Sequence, residues 1–114
     1  MAAQLPPDVA LESVFLIEAT YAPDAAETRV PFRAEHLARL SALRDAGVVI
    51  EAGALADVSA SVVLLRAVDA EAAIEIASDD IYLRNGVWVE IRVRPFGRVC
   101  RPGQLPAPIA TSRS

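Results

Sequence analysis

His36 is the only histidine in the chain, and imidazole is the one side chain that ordinarily exchanges a proton near neutral pH. Its spacing to Phe32, Leu40 and Leu43 places it inside the apolar arc of a helix, facing inward. A histidine in that position is more often a packed core residue with one satisfied hydrogen bond than a catalyst. Asp79 and Asp80 lie in a connection further along the chain, where adjacent acids usually serve as solvated charges or helix caps. A carboxylate from that connection bonded to one ring nitrogen would fix the tautomer of His36 and raise its basicity. General acid–base assistance of this kind is worth roughly 10²–10⁴ in rate. Arg33, Arg66, Arg92 and Arg94 are the candidate anion anchors. Arg33 stands one turn before His36 and Arg92 shares a strand face with Trp88 and Glu90, whereas Arg66 and Arg94 fit surface ion pairs better. Cys100, the single cysteine, is flanked by Arg98 and Arg101 and reads as incidental.

Other chemistries fail on inventory. One His and one Cys do not make a zinc centre. No glycine-rich phosphate loop and no GxSxG elbow occurs. No cofactor is therefore expected, although a helical histidine is also able to ligate a haem iron.

The elements that must position these residues follow from the patterning. Ser13–Thr20 carries the continuous apolar run Val14, Phe15, Leu16 and Ile17, the mark of a strand covered on both faces. A helix is predicted from about Pro31 to Ala46, with proline in the first turn and Gly47 after the end. Val48–Leu55 is the second strand, with a bulge or close approach expected at Gly53. Ser59–Ala67 is the third, again apolar on both faces. Asp69 is placed to cap a second helix through Ala77. Ser78–Gly86 is a connection ending in the turn pair Asn85–Gly86. In the last strand, Val87–Arg94, the alternation sets Val87, Val89, Ile91 and Val93 against Trp88, Glu90, Arg92 and Arg94.

Strand, helix, strand, strand, helix, strand is the ferredoxin-like βαββαβ order: an α+β fold with an antiparallel four-stranded sheet and both helices on one face. Strands that are apolar on both faces leave the second face in need of cover, and a two-fold homodimer is the commonest way to supply it. Residues 1–12 read as a flexible leader, 13–100 as the folded domain and 101–114 as a proline-rich tail.

The 114 residues are 54% hydrophobic but include only one Trp, two Tyr and three Phe, so the core must be aliphatic. Net charge is −4, lysine is absent, and no basic run is interleaved with aromatics. Nucleic acid is therefore not an expected partner. No basic, apolar leader and no apolar stretch approaching the ~20 residues of a membrane span is present. With a single cysteine, the expected setting is cytoplasmic and reducing, without membrane insertion.

Several of these residues also form a familiar set. Arg33-Ala-Glu-His36-Leu37-Ala-Arg-Leu40, then Leu43, Gly47 and Glu51-Ala-Gly53, are followed by Asp80-Ile81-Tyr82, Gly86-Val87 and Val93-Arg94-Pro95-Phe96. From about Val14 to Val99 the chain resembles the YciI-like (YCII-related) family. That resemblance implies a dimeric α+β barrel and a His–Asp dyad in a pocket, here His36 and Asp80, with Tyr82 beside them among the substrate-binding residues. One branch of the family is a dehydrochlorinase acting on chlorinated hydroxyquinols. Ala54 and Ile81 stand where the family often has proline, and Ile81 leaves open whether Asp79 or Asp80 pairs with the histidine. Two functions fit: a cofactor-independent proton-transfer enzyme of lyase or isomerase type acting on a small anionic substrate, or a non-catalytic dimeric module that binds a small ligand or a protein.

Overall fold

The computed structural model describes residues 4–106. Its elements are β1 (Ala10–Tyr21), α1 (Ala25–Thr28), a 3-10 turn (Val30–Phe32), α2 (Arg33–Asp45), β2 (Val49–Ala54), β3 (Ala60–Leu65), α3 (Ala70–Ser78), α4 (Ile81–Arg84), β4 (Trp88–Cys100) and a closing 3-10 turn (Pro102–Gln104). The four strands form one antiparallel sheet in the order β2-β3-β1-β4. This is the expected α+β, ferredoxin-like arrangement.

Local chemistry accounts for the element ends. Pro31 falls in the 3-10 turn that leads into α2, and Gly47, at φ +80, follows the helix where a left-handed residue is needed. Asp69 caps α3 by accepting from Ala72 N at 2.8 Å. The helices lie over one face of the sheet. There Ile17, Val49, Val63 and Leu65 pack against Ala73 and Ala77 of α3, with Leu40 and Leu43 of α2 closing the layer. The alanines allow the helix backbone to approach the sheet closely.

Four expectations change. β1 begins at Ala10, inside the segment read as a leader, because Ala10 and Glu12 are both buried and pair opposite Cys100 and Arg98. β4 continues through Pro95 to Cys100, since it is an edge strand, where proline is tolerated. The irregularity in β2 falls between Val49 and Glu51, not at Gly53. The connection after α3 contains a one-turn helix, α4, capped by Asp80. Of the tail, residues 107–114 lie outside the described residues.

A fifth difference matters most for the site. Between Thr20 and Tyr21 the β1/β4 register slips: Thr20 faces Glu90, but Tyr21 faces Trp88. Val89 is the extra residue, and it is 57% exposed. The bulge breaks the predicted alternation, turning Trp88 to the helix side with Ile91 while Glu90 and Arg92 stay on the other face. Trp88 thereby joins a second buried cluster with Ala19, Tyr21, Ala25, Tyr82 and Val87.

Candidate active site

Where α2 crosses the end of the sheet, its one buried residue is His36, 4% exposed. Asp80 comes from the start of α4 and is 1% exposed. His36 Nδ1 and Asp80 Oδ1 are 2.8 Å apart. The same oxygen accepts the backbone N–H of Tyr82 at 2.9 Å, which is the cap of α4. The other oxygen, Oδ2, accepts from Arg39 Nη1 at 3.3 Å. Arg39 is itself held by the carbonyl of Ile76 at 2.7 Å.

Burial pushes the Asp80 carboxyl up, but the hydrogen bond from His36, the Tyr82 N–H and the neighbouring charges outweigh it. Asp80 therefore ionises below its ordinary value of 3.8. An ionised carboxylate only accepts, so Nδ1 must carry the hydrogen. The neutral ring then presents Nε2 as a lone-pair acceptor. No hydrogen bond among the described residues reaches Nε2, yet it is not among the sealed atoms that lack a partner. The ring is thus anchored on one side and open on the other.

Aromatic packing fixes the imidazole plane. Tyr82 stacks on it at a centroid distance of 3.7 Å and an interplanar angle of 8°. Trp88 meets it edge-on at 5.3 Å. Burial pushes the Tyr82 phenol above its ordinary value of 10.0, and nearby Tyr21 adds to the rise. The phenol therefore stays a neutral O–H donor at physiological pH.

His36 is reached from the cleft it lines. Beneath the pair, among Ile17, Leu40, Val63, Ile76 and Trp88, the core leaves a void of about 10 Å³, barely room for one water. Above it, a cleft of about 160 Å³ is lined by Tyr21, Arg29, Arg33, His36, Leu37, Leu40, Ala52, Gly53, Ala54, Ser61 and Tyr82. Such a cleft has the chemistry for proton transfer to a small molecule: a tautomer-locked base, neutral hydroxyl donors and cations at the wall.

The structure brings together His36, Asp80, Tyr82 and Arg33 of the residues singled out from the sequence. It separates Arg92 from them. Arg92 stands opposite Glu18 on the sheet face away from the helices, and bonds Glu90 at 2.8 Å. Asp79, 78% exposed at its side chain, approaches Arg39 at 3.9 Å and does not face the imidazole. Arg66 and Arg94 are engaged by Glu12 and Glu18. Cys100 is buried.

Sequence reasoning missed Arg39, Arg29, Tyr21 and Trp88. Arg39 was legible, since it follows His36 by three residues and so shares its helix face. Tyr21 and Arg29 close the cleft from β1 and the end of α1, where no periodicity marks them. Trp88 depends on the bulge.

These features define a class, the α+β domain with a buried acid–imidazole pair beneath a small cleft, and comparison with known proteins adds the family. Residues 13–97 match the model of the YCII-related domain, and the chain belongs to that family. It is 32% identical over 96 residues to Protein YciI of Escherichia coli O6:H1, covering 75% of this chain and 98% of that protein. Protein YciI of Shigella flexneri matches equally, at 32% over 96 residues. Among solved structures, the fold is similar to 5-chloro-2-hydroxyhydroquinone dehydrochlorinase (TftG) from Burkholderia phenoliruptrix AC1100, in complex with 2,5-dihydroxybenzoquinone. The TM-score is 0.63 at 20% identity, covering 73% of this chain and 92% of that one. Among the described residues, no helix is long and apolar enough to cross a membrane.

Proposed function

We propose that this protein is a small, cofactor-independent enzyme of lyase or isomerase type, in which His36 moves a proton through Nε2. The observation that carries the reading is the 2.8 Å bond from Nδ1 to a buried Asp80 beside a cleft that His36 itself lines. In this mechanism Nε2 removes a proton from a carbon or hydroxyl of the substrate, and the imidazolium forms against the Asp80 carboxylate. Arg39 and the Tyr82 N–H hold that carboxylate in its ionised form. The same ring returns the proton to another position, giving isomerisation. Alternatively, a leaving group departs with the electron pair, giving elimination. The dehydrochlorinase name of the structural neighbour makes loss of a proton and chloride from a small chlorinated phenol or carboxylate the first elimination to test.

The test is turnover across a panel of small acidic phenols and carboxylates, followed by chloride release and by proton–deuterium exchange. His36→Ala should lower the rate by about 10²–10⁴, and Asp80→Asn by a large part of that. Full activity in His36→Ala would sink the mechanism.

The competing reading, a binding module without turnover, predicts ligand uptake indifferent to Asp80→Asn. Haem ligation through His36 is less well supported, because a macrocycle cannot enter a cleft of about 160 Å³ without prising α2 from the sheet. We also propose a homodimer through the open sheet face. There Leu16, Val62, Leu64 and Phe96 surround an apolar depression, with Val62 38% and Phe96 42% exposed. A single dimer mass in analytical ultracentrifugation, reduced to monomer by Val62→Glu, is the expected result. The lone cysteine remains consistent with a reducing, cytoplasmic setting.

A further inference from the structure

The cleft above His36 has an uneven charge. Arg29 and Arg33 both line it, and neither has a carboxylate within ion-pair distance among the described residues. Arg39, by contrast, is already engaged by Asp80 and the Ile76 carbonyl. Two phenols face the same space. Tyr21 and Tyr82 stand with ring centroids 6.2 Å apart, and neither hydroxyl makes a hydrogen bond among the described residues or counts among the sealed, unpartnered atoms. No acidic residue lines this cleft.

Two guanidinium forks and two hydroxyl donors line the same cleft. A planar oxyanion accepting several hydrogen bonds satisfies them together, and the paired oxygens of a carboxylate match the guanidinium fork. Size narrows the class further. A cleft of about 160 Å³ is well below the ~300–1,000 Å³ of sites for drug-sized ligands. The apolar remainder of the lining, Leu37, Leu40, Ala52 and Ala54, has no polar group to specify a longer, branched polar chain.

We infer that the substrate is a small planar carboxylate, one ring or one conjugated chain in size. Its carboxylate is held by Arg29 and Arg33 with the hydroxyls of Tyr21 and Tyr82, and its ionisable hydrogen lies toward His36 Nε2. The inference rests on the acid–base reading of His36 and names the substrate class for that site. The second guanidinium has a further use: proton removal adds negative charge to a ligand that is already an anion, and a cation nearby stabilises that charge.

Trp88, the only tryptophan of the chain, meets His36 and Tyr82 edge-on from behind the cleft lining, so its emission responds when a ligand shifts either ring, and titration calorimetry measures binding independently of it. The experiment titrates the full-length protein with benzoate and 2,5-dihydroxybenzoate, and with their methyl esters, which keep the ring and lose the charge. The acids should saturate the signal and bind at least tenfold more tightly than the esters. Added salt should weaken the acids alone. Arg29→Gln and Arg33→Gln should each weaken the acids about tenfold and leave the esters unchanged, whereas Arg84→Gln, outside the cleft, should change neither. Equal binding of acid and ester, indifference to both substitutions, or no saturable signal from any of the four compounds would overturn the inference. His36→Gln separates the two readings. Acid binding within about threefold of wild type together with lost proton exchange supports both. Turnover that needs His36 but shows no preference for acids overturns the carboxylate alone. Acid preference with full exchange in His36→Gln overturns the acid–base role alone.

Discussion

Two buried carboxylates organise the two ends of this sheet, and they do so differently. At one end Glu12, 9% exposed, takes Arg66 Nε at 2.6 Å and Nη2 at 3.2 Å, and Arg98 Nη1 at 3.1 Å. Arg66 also donates to the Gly47 carbonyl at 2.9 Å, tying the end of α2 to β1 and β3. There the acid is spent entirely on permanent cations. At the other end Asp80 divides its oxygens among Arg39, a backbone N–H and a titratable ring whose second nitrogen is left open. Both acids are held below their ordinary values. For Glu12 the Arg66 hydrogen bond is the main cause. For Asp80 burial opposes the shift and the His36 bond leads the groups that overcome it. A buried carboxylate is thus a structural clamp when all its partners are fixed charges. It becomes a chemical device when one partner can change its protonation.

The comparison breaks first on activity. Any turnover found for this protein should fall by about 10²–10⁴ in His36→Ala, while Glu12→Gln should leave the rate per folded molecule unchanged in steady-state assays. A catalytic loss of similar size at Glu12 would erase the distinction.

Stability should rank the other way. Glu12→Ala leaves two guanidiniums near a buried position, and removing one partner of a buried pair costs about 3–5 kcal/mol. Arg66 and Arg98 are 27% and 18% exposed, so water recovers part of that and about 2–3 kcal/mol is expected in urea denaturation. His36→Leu, which keeps most of the volume that Tyr82 and Trp88 pack against, removes one hydrogen bond from an acid that keeps two others, for about 1–3 kcal/mol. A greater loss at His36 than at Glu12 would argue that the imidazole is chiefly a core residue.

Acid titration sharpens the same contrast. A carboxylate whose folded value is depressed contributes stability above its unfolded value, and this is lost as pH falls toward the folded value. Losses should therefore begin below about 4.5 for Glu12 and about 3.8 for Asp80, their ordinary values. Asp80→Asn should be less stable than wild type at neutral pH, with the gap closing in urea melts taken progressively below pH 4. A gap constant with pH would mean that the charge of Asp80 is not what the fold uses.

The smallest expected effect serves as a ruler. Asp69 caps α3 at an exposed position with a single bond to Ala72 N, so Asp69→Ala should cost about 1 kcal/mol in thermal melts. It should change neither ligand binding nor the acid limb. A change in either would show that α3 couples to the cleft.

Local sequence carried the order of the four strands and the two longer helices, the caps at Asp69 and Gly47, and the inward position of His36. Those properties are local: side-chain periodicity, turn chemistry and the conformational freedom of particular residues. The family resemblance pointed to Asp80 as the partner of His36 and left Asp79 open beside it. Tertiary structure made the choice, because only the one-turn helix α4 directs Asp80 inward and leaves Asp79 in solvent. The same is true of Arg92, whose side depended on which face of β4 met the helices. One extra residue at Val89 turned Trp88 toward the imidazole and left Arg92 on the opposite face. A strand has a period of two, so a single bulge reverses every assignment beyond it, and no local pattern in this sequence marked where that bulge would fall.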